Sequence, residues 1–103
     1  MDKRFFPDWR DVVVYSEQGA QPQILVETDN YKAVIIGLAA GNKIPAHAEG
    51  QAIFHFLEGN GQVILDDAVF DVSAGATVFA PSGAKRGIAA VTKLALLAVR
   101  MAD

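Results

Sequence analysis

From residue 23 to the end of the chain, short apolar runs alternate with turn-forming residues at a spacing too short for helices. The runs predict strands over residues 23–28, 31–39, 43–48, 52–58, 62–65, 68–72, 76–80, 87–91 and 94–100. Between them stand Asp29-Asn30, Gly41-Asn42, Gly59-Asn60-Gly61, Asp66-Asp67, Ser73-Ala74-Gly75, Pro81-Ser82-Gly83 and Thr92-Lys93. These residue types accept the positive φ that tight hairpins require. Many short, evenly spaced strands with little helical periodicity predict an all-β sandwich or barrel.

Several strands are apolar on both faces. Over residues 52–58 one parity holds Ala52, Phe54 and Phe56, and the other holds Ile53, His55 and Leu57. Val34, Ile35, Ile36 and Leu38 repeat the doubling, as does the run 94–99. A sheet with one wet face should alternate polar and apolar residues, so the second face must also be covered. A facing sheet covers one side, and a second subunit is the simplest cover for the other, which predicts a homodimer. Residues 1–22 read differently, as an N-terminal arm before a barrel domain at 23–103. The arm's Phe5, Phe6 and Trp9 need a surface to cover, on the same subunit or a partner.

At 103 residues the chain fits one domain, and its 51% hydrophobic content is enough for a core. The net charge is −3, and no run of Lys or Arg appears, which argues against nucleic-acid or anionic-membrane binding. With no cysteine, disulfides, thiolate ligands and cysteine nucleophiles are excluded. The N-terminal charges are not followed by an apolar stretch of the secretory type, and the longest apolar runs, 33–40 and 94–99, are far too short to span a bilayer. A cytoplasmic protein is expected.

Two segments carry motif-like spacing. Gly75, Pro81 and Gly83 fit the pattern G-x5-P-x-G-x2-H-x3-N, with Arg86 at the histidine position and Ala90 at the asparagine position. Gly41 and His47 fit G-x5-H-x-H-x3,4-E-x6-G, with Glu49 at the second histidine and Ala52, Ile53 or Phe54 at the glutamate. Phe56-Leu57-Glu58-Gly59 matches the usual strand end. On these residues the chain, over about 24–100, resembles the cupin superfamily. The resemblance implies a single-domain, all-β, double-stranded β-helix or jelly-roll barrel. It also implies a divalent metal held inside by three histidines and a glutamate. Of that set only His47 is unchanged. Glu49 could still ligate Zn, Fe or Mn, whereas Arg86 cannot, because its guanidinium has no free lone pair and stays protonated. The expectation is therefore no metal cofactor, with a divalent ion held by His47 and Glu49 as the alternative.

Each candidate has two readings. His47 is either a ligand or acid/base, or a pocket histidine held by hydrogen bonds. Glu49 has the same pair of readings, with an ion pair to Arg86 as a third; Arg86 left free could instead hold an anion. His55 has the wrong parity for the pocket unless a bulge rotates it inward, and otherwise packs on the sheet or at an interface. Phe54, Phe56 and Phe79 line an apolar ligand pocket or are ordinary core. Asp66-Asp67 is a turn, and Ser16, Ser73 and Ser82 have no His/Asp context. The function expected is a barrel that binds a small molecule, an anionic one being one option, through a pocket of His47, Glu49, Phe54, Phe56, Phe79 and Arg86. The alternatives are a metal-dependent dioxygenase, isomerase or lyase, and a structural or regulatory dimer with a filled pocket.

Overall fold

The computed structural model describes residues 3–102; Met1, Asp2 and Asp103, the outer ends of the expected arm and barrel, lie outside the described residues. A single 3-10 turn at Trp9–Asp11 precedes the strands β1 (Gln21–Glu27), β2 (Tyr31–Leu38), β3 (Lys43–Ala48), β4 (Ala52–Glu58), β5 (Asn60–Leu65), β6 (Ala68–Ser73), β7 (Thr77–Ala80), β8 (Lys85–Ala90) and β9 (Leu94–Met101). Every strand expected from the pattern is present, with ends displaced by at most a few residues. The strand β5 starts earlier than expected because Gly59 alone turns the chain, at φ 89°.

The strands form two antiparallel sheets, ordered β1-β2-β9-β4-β7 and β3-β8-β5-β6, packed face to face as a jelly-roll barrel. Register decides which side chains meet. Val34, Ile36 and Leu38 pair with Ala98, Leu96 and Leu94, and Ala98 and Leu96 pair in turn with Phe54 and Phe56. All of these face inward and meet Val63, Val72, Ile88 and Ala90 of the other sheet in one core cluster. Leu38, Phe56, Val63, Leu94 and Leu96 are fully buried, each contributing about 1.5–3 kcal/mol by burial. This packed end of the barrel is its anchor.

Part of the outer face of the doubled apolar strands is covered by the arm of the same chain. The outer-facing Leu25, Ile35, Leu57 and Leu97 line a groove beneath the arm together with its Phe6, Trp9 and Val12. Ile35 is only 3% exposed. The arm runs so close to β2 that a Cβ on Gly37 would strike the Val14 carbonyl, which explains the glycine that follows Val34, Ile35 and Ile36 near the end of that strand. Tyr15 then donates a hydrogen bond to Glu58 at 3.3 Å, and the Lys93 ammonium sits over its ring. Phe5 in the arm itself and Phe79 on β7 stay exposed. No helix among the described residues is long and apolar enough to cross a membrane.

Candidate functional site

The end of the barrel opposite the packed core is open. A cavity of about 330 Å³ enters there, between the two sheets. Its floor is apolar, formed by Val34, Ile36, Phe54, Ile88 and Ala98. Its mouth is charged: Lys32 and Arg100 come from one sheet, His47 and Arg86 from the other, and Glu49 from the end of β3.

A local irregularity builds the charged wall. In β3, Ile44 pairs with Ile88, but the next pair is His47 with Arg86, so three residues of β3 span two of β8. This bulge falls at Pro45, which has no N–H to give to a ladder. Without it, Ile44 and His47 would face opposite sides; with it, both face the cavity. The Pro45 carbonyl also lies 2.9 Å from His47 Nδ1. His47 Nε2 lies 2.9 Å from Glu49 Oε2, and Glu49 Oε1 accepts from Arg100 Nη1 at 2.6 Å.

His47 thus has an acceptor at each ring nitrogen. The Pro45 carbonyl first, then the Glu49 carboxylate, raise its pKa above the usual histidine value, against partial burial and the repulsion of Arg86. Partial burial pushes Glu49 upward, but the His47 hydrogen bond and the Arg100 charge outweigh it and hold the carboxyl below its ordinary value. The mouth therefore favours an imidazolium beside a carboxylate.

Arg86 does not pair with that carboxylate, contrary to the expected ion pair. Its guanidinium is 3% exposed and donates only to main-chain carbonyls: Nε to Ala84 at 2.9 Å, Nη1 to Gly50 at 2.7 Å, and Nη2 to Pro81 at 3.0 Å and Glu49 at 3.3 Å. Two loops converge on it, one at 49–50 and one at 81–84, and their carbonyl dipoles solvate the charge. Among the described residues Glu49 forms ion pairs with His47 and Arg100 alone. Arg86 accordingly supplies charge to the cavity wall but no free two-pronged fork for a ligand.

Four of the six expected pocket residues, His47, Glu49, Phe54 and Arg86, line the cavity. The other two do not. Phe56 has the inner parity but lies deeper, fully buried opposite Leu96 at the packed end. Phe79 pairs with the outward-facing Ile53, so register turns it away from the cavity, and it is 68% exposed. His55 also faces outward, with Nδ1 2.7 Å from Thr77 Oγ1. The irregularity in β4 falls between Phe56 and Glu58, past the point where it could rotate His55 inward. Lys32 and Arg100 were absent from the expected site. Strand parity is the signal that finds them: each lies two residues beyond an inward-facing residue, Val34 or Ala98, and the two are register partners.

The donor set does not fit a divalent metal. Among the described residues no group of three or more His, Cys, Asp or Glu side chains could hold one. A zinc or iron site ordinarily needs at least three protein ligands. The two candidate ligands here are hydrogen-bonded to each other, and guanidiniums flank them.

A family profile described as "Cupin domain" matches residues 34–100. No curated protein matches the chain. Among solved structures, the chain is similar to an RmlC-like cupin protein from Desulfovibrio desulfuricans, at 28% identity and TM-score 0.82, over 98% of this chain and 96% of that one. It is similar to a conserved protein of unknown function from Streptococcus pyogenes, at 21% identity and TM-score 0.87, over 100% and 91%. It is also similar in fold to the salicylate 1,2-dioxygenase of Pseudoaminobacter salicylatoxidans, at 18% identity and TM-score 0.75, over 82% of this chain but 27% of the enzyme.

Proposed function

The chain belongs to the cupin family, and within that family we propose that it is a metal-independent barrel that binds a small anionic molecule rather than an enzyme. One observation carries the reading: an open cavity with an apolar floor has Lys32, Arg86 and Arg100 at its wall against the single carboxylate of Glu49. The protein as a whole is negative, at −3, so the cavity mouth runs against the charge of the rest of the molecule. A low-dielectric cleft walled by one sign of charge concentrates the opposite ion. Its volume lies at the lower end of the range typical of small-molecule sites. The metal position of the family is taken here as degenerate, since His47 and Glu49 are spent on each other and on Arg100. Exposed Phe79 and Phe5 support association of two copies through the outer sheet face, and the overall composition supports a cytoplasmic setting.

Two measurements on untagged protein test this. Mass-spectrometric metal analysis is expected to give well under one metal per chain; a stoichiometric metal would overturn the reading. Thermal melts with a panel of small carboxylates are expected to show concentration-dependent stabilisation, about 2.7 kcal/mol at one hundred times the dissociation constant. A panel that leaves the melt unmoved would also refute it.

A further inference from the structure

We propose that Glu49 stands in for the ligand's own headgroup, and that the ligand is a monocarboxylate with an apolar body which binds by taking Glu49's place at Arg100. This rests on the small-molecule reading above and deepens it.

The structure displays what the mouth is shaped to hold. A carboxylate already bridges two cationic groups there, with one oxygen 2.6 Å from Arg100 Nη1 and the other 2.9 Å from His47 Nε2. Glu49 sits in the loop just past the end of β3, one-third exposed, with Gly50 after it, so its side chain can leave toward solvent without moving a strand. His47 has both ring nitrogens partnered, but Arg100 is not saturated by Glu49. Among the described residues the Arg100 guanidinium makes this one hydrogen bond and Lys32 Nζ makes none, although Lys32 is the register partner of Arg100. An incoming carboxylate can take a second guanidinium hydrogen of Arg100 and draw on Lys32, whereas Glu49 takes one hydrogen of Arg100 and none of Lys32. Paired Arg–carboxylate contacts with two hydrogen bonds are stronger than single ones.

The rest of the cavity fixes the body of the ligand. Beyond the mouth the floor is Val34, Ile36, Phe54, Ile88 and Ala98, with no side-chain donor or acceptor. A second charge or a sugar-like set of hydroxyls would lose its water there without replacement. Arg86 offers little remedy, because four of its five N–H donors are committed to main-chain carbonyls. An alkyl or aryl acid suits both halves, and a dicarboxylate or a bare inorganic anion suits one.

If Glu49 competes for Arg100 from inside the chain, ligand binding must overcome a tethered carboxylate at high effective concentration. Removing its charge should then tighten binding. The experiment is calorimetric titration of the full chain and of Glu49→Gln and Arg100→Gln, using hexanoate, hexan-1-ol and inorganic phosphate as probes. Hexanoate is expected to bind wild type, to bind E49Q about tenfold more tightly, and to lose most of its affinity for R100Q. Hexan-1-ol and phosphate are expected to bind at least tenfold more weakly than hexanoate. Glu49→Ala serves as a second variant if E49Q does not fold. Unchanged or weaker hexanoate binding in the Glu49 variants would overturn the exchange. Equal affinity for hexan-1-ol would overturn the carboxylate while leaving a small-molecule barrel, and equal affinity for phosphate would overturn the apolar body. Heat from none of the probes would overturn both this inference and the reading beneath it.

Discussion

The two ends of this barrel are built from the same strands with the same parity, yet they do opposite things. On β2 and β9 the inward positions run from Leu38 and Leu94 at one end to Lys32 and Arg100 at the other. At the first end the side chains interlock with Phe56 and Val63 and exclude water. At the second, four residues along each strand past Ile36 and Leu96, the partners are charged and the sheets stay apart. The two arginines of the mouth repeat the contrast on a smaller scale. Arg86 is buried and held by carbonyls of two loops, so its role is to fix those loops. Arg100 is half exposed and held by one carboxylate, so it is free to change partner. Stability and binding are thus separated along the barrel axis, and substitutions at the two ends should report different quantities.

The largest effect should come from the packed end. Phe56→Ala is expected to cost about 3–5 kcal/mol, read as a lower denaturant midpoint at constant slope. A loss below about 1 kcal/mol would mean the packed end does not anchor the fold. Arg86→Met should come next, at about 2–4 kcal/mol, because it removes four hydrogen bonds from a buried cation to the loops at 49–50 and 81–84 while leaving ligand affinity to fall only through lost charge. If this variant proved as stable as Arg100→Gln, the contrast between the two arginines would fail. Arg100→Gln and Glu49→Gln themselves should change stability by no more than about 1 kcal/mol, since the pair is partly solvated, and should move affinity in opposite directions.

The smallest effect concerns pH. The folded pKa of His47 is raised from 6.5, so its contribution is fully present below pH 6.5 and is lost as pH rises through the folded value. The folded pKa of Glu49 is lowered from 4.5, so its contribution is present above pH 4.5 and is lost as pH falls through the folded value. The groups facing this pair are Arg86 on β8 and Arg100 and Lys32 on β9 and β2, with the Pro45 carbonyl on β3 itself. The mouth's contribution to stability should therefore be greatest between about pH 4.5 and 6.5 and decline on either side. Denaturant midpoints measured across pH for wild type and His47→Gln should converge at high pH; curves that stay parallel from pH 4 to pH 9 would dismiss the linkage.

Much of this molecule was legible in its sequence, and the parts that were not share a cause. The strands follow from local alternation and turn chemistry, which is why β3 and β4 fall where the pattern put them. His47, Arg86 and Phe54 could be placed at the cavity because motif spacing and parity are also local. Glu49's partner was not legible, because Arg100 is 51 positions away and reaches it only after the two sheets close. Arg86's donors were not legible either, since their acceptors are main-chain carbonyls that carry no residue signature. Phe79 was misplaced for want of the β4–β7 register, which turns the whole strand by one position. The arm's aromatics signalled a buried surface without saying whose, and the answer lay in Gly37 beneath Val14.

The central claim is that ligand enters the charged mouth and not the groove beneath the arm. Titrating isotopically labelled protein with hexanoate and following backbone and methyl resonances tests it most directly. The account predicts saturable, one-to-one shifts at Ile36, Ile88, Ala98 and Arg100, abolished by Arg100→Gln in a variant that melts close to wild type. Shifts centred on Trp9, Leu25, Ile35 and Leu97, or shifts at the mouth that survive Arg100→Gln unchanged, would contradict it.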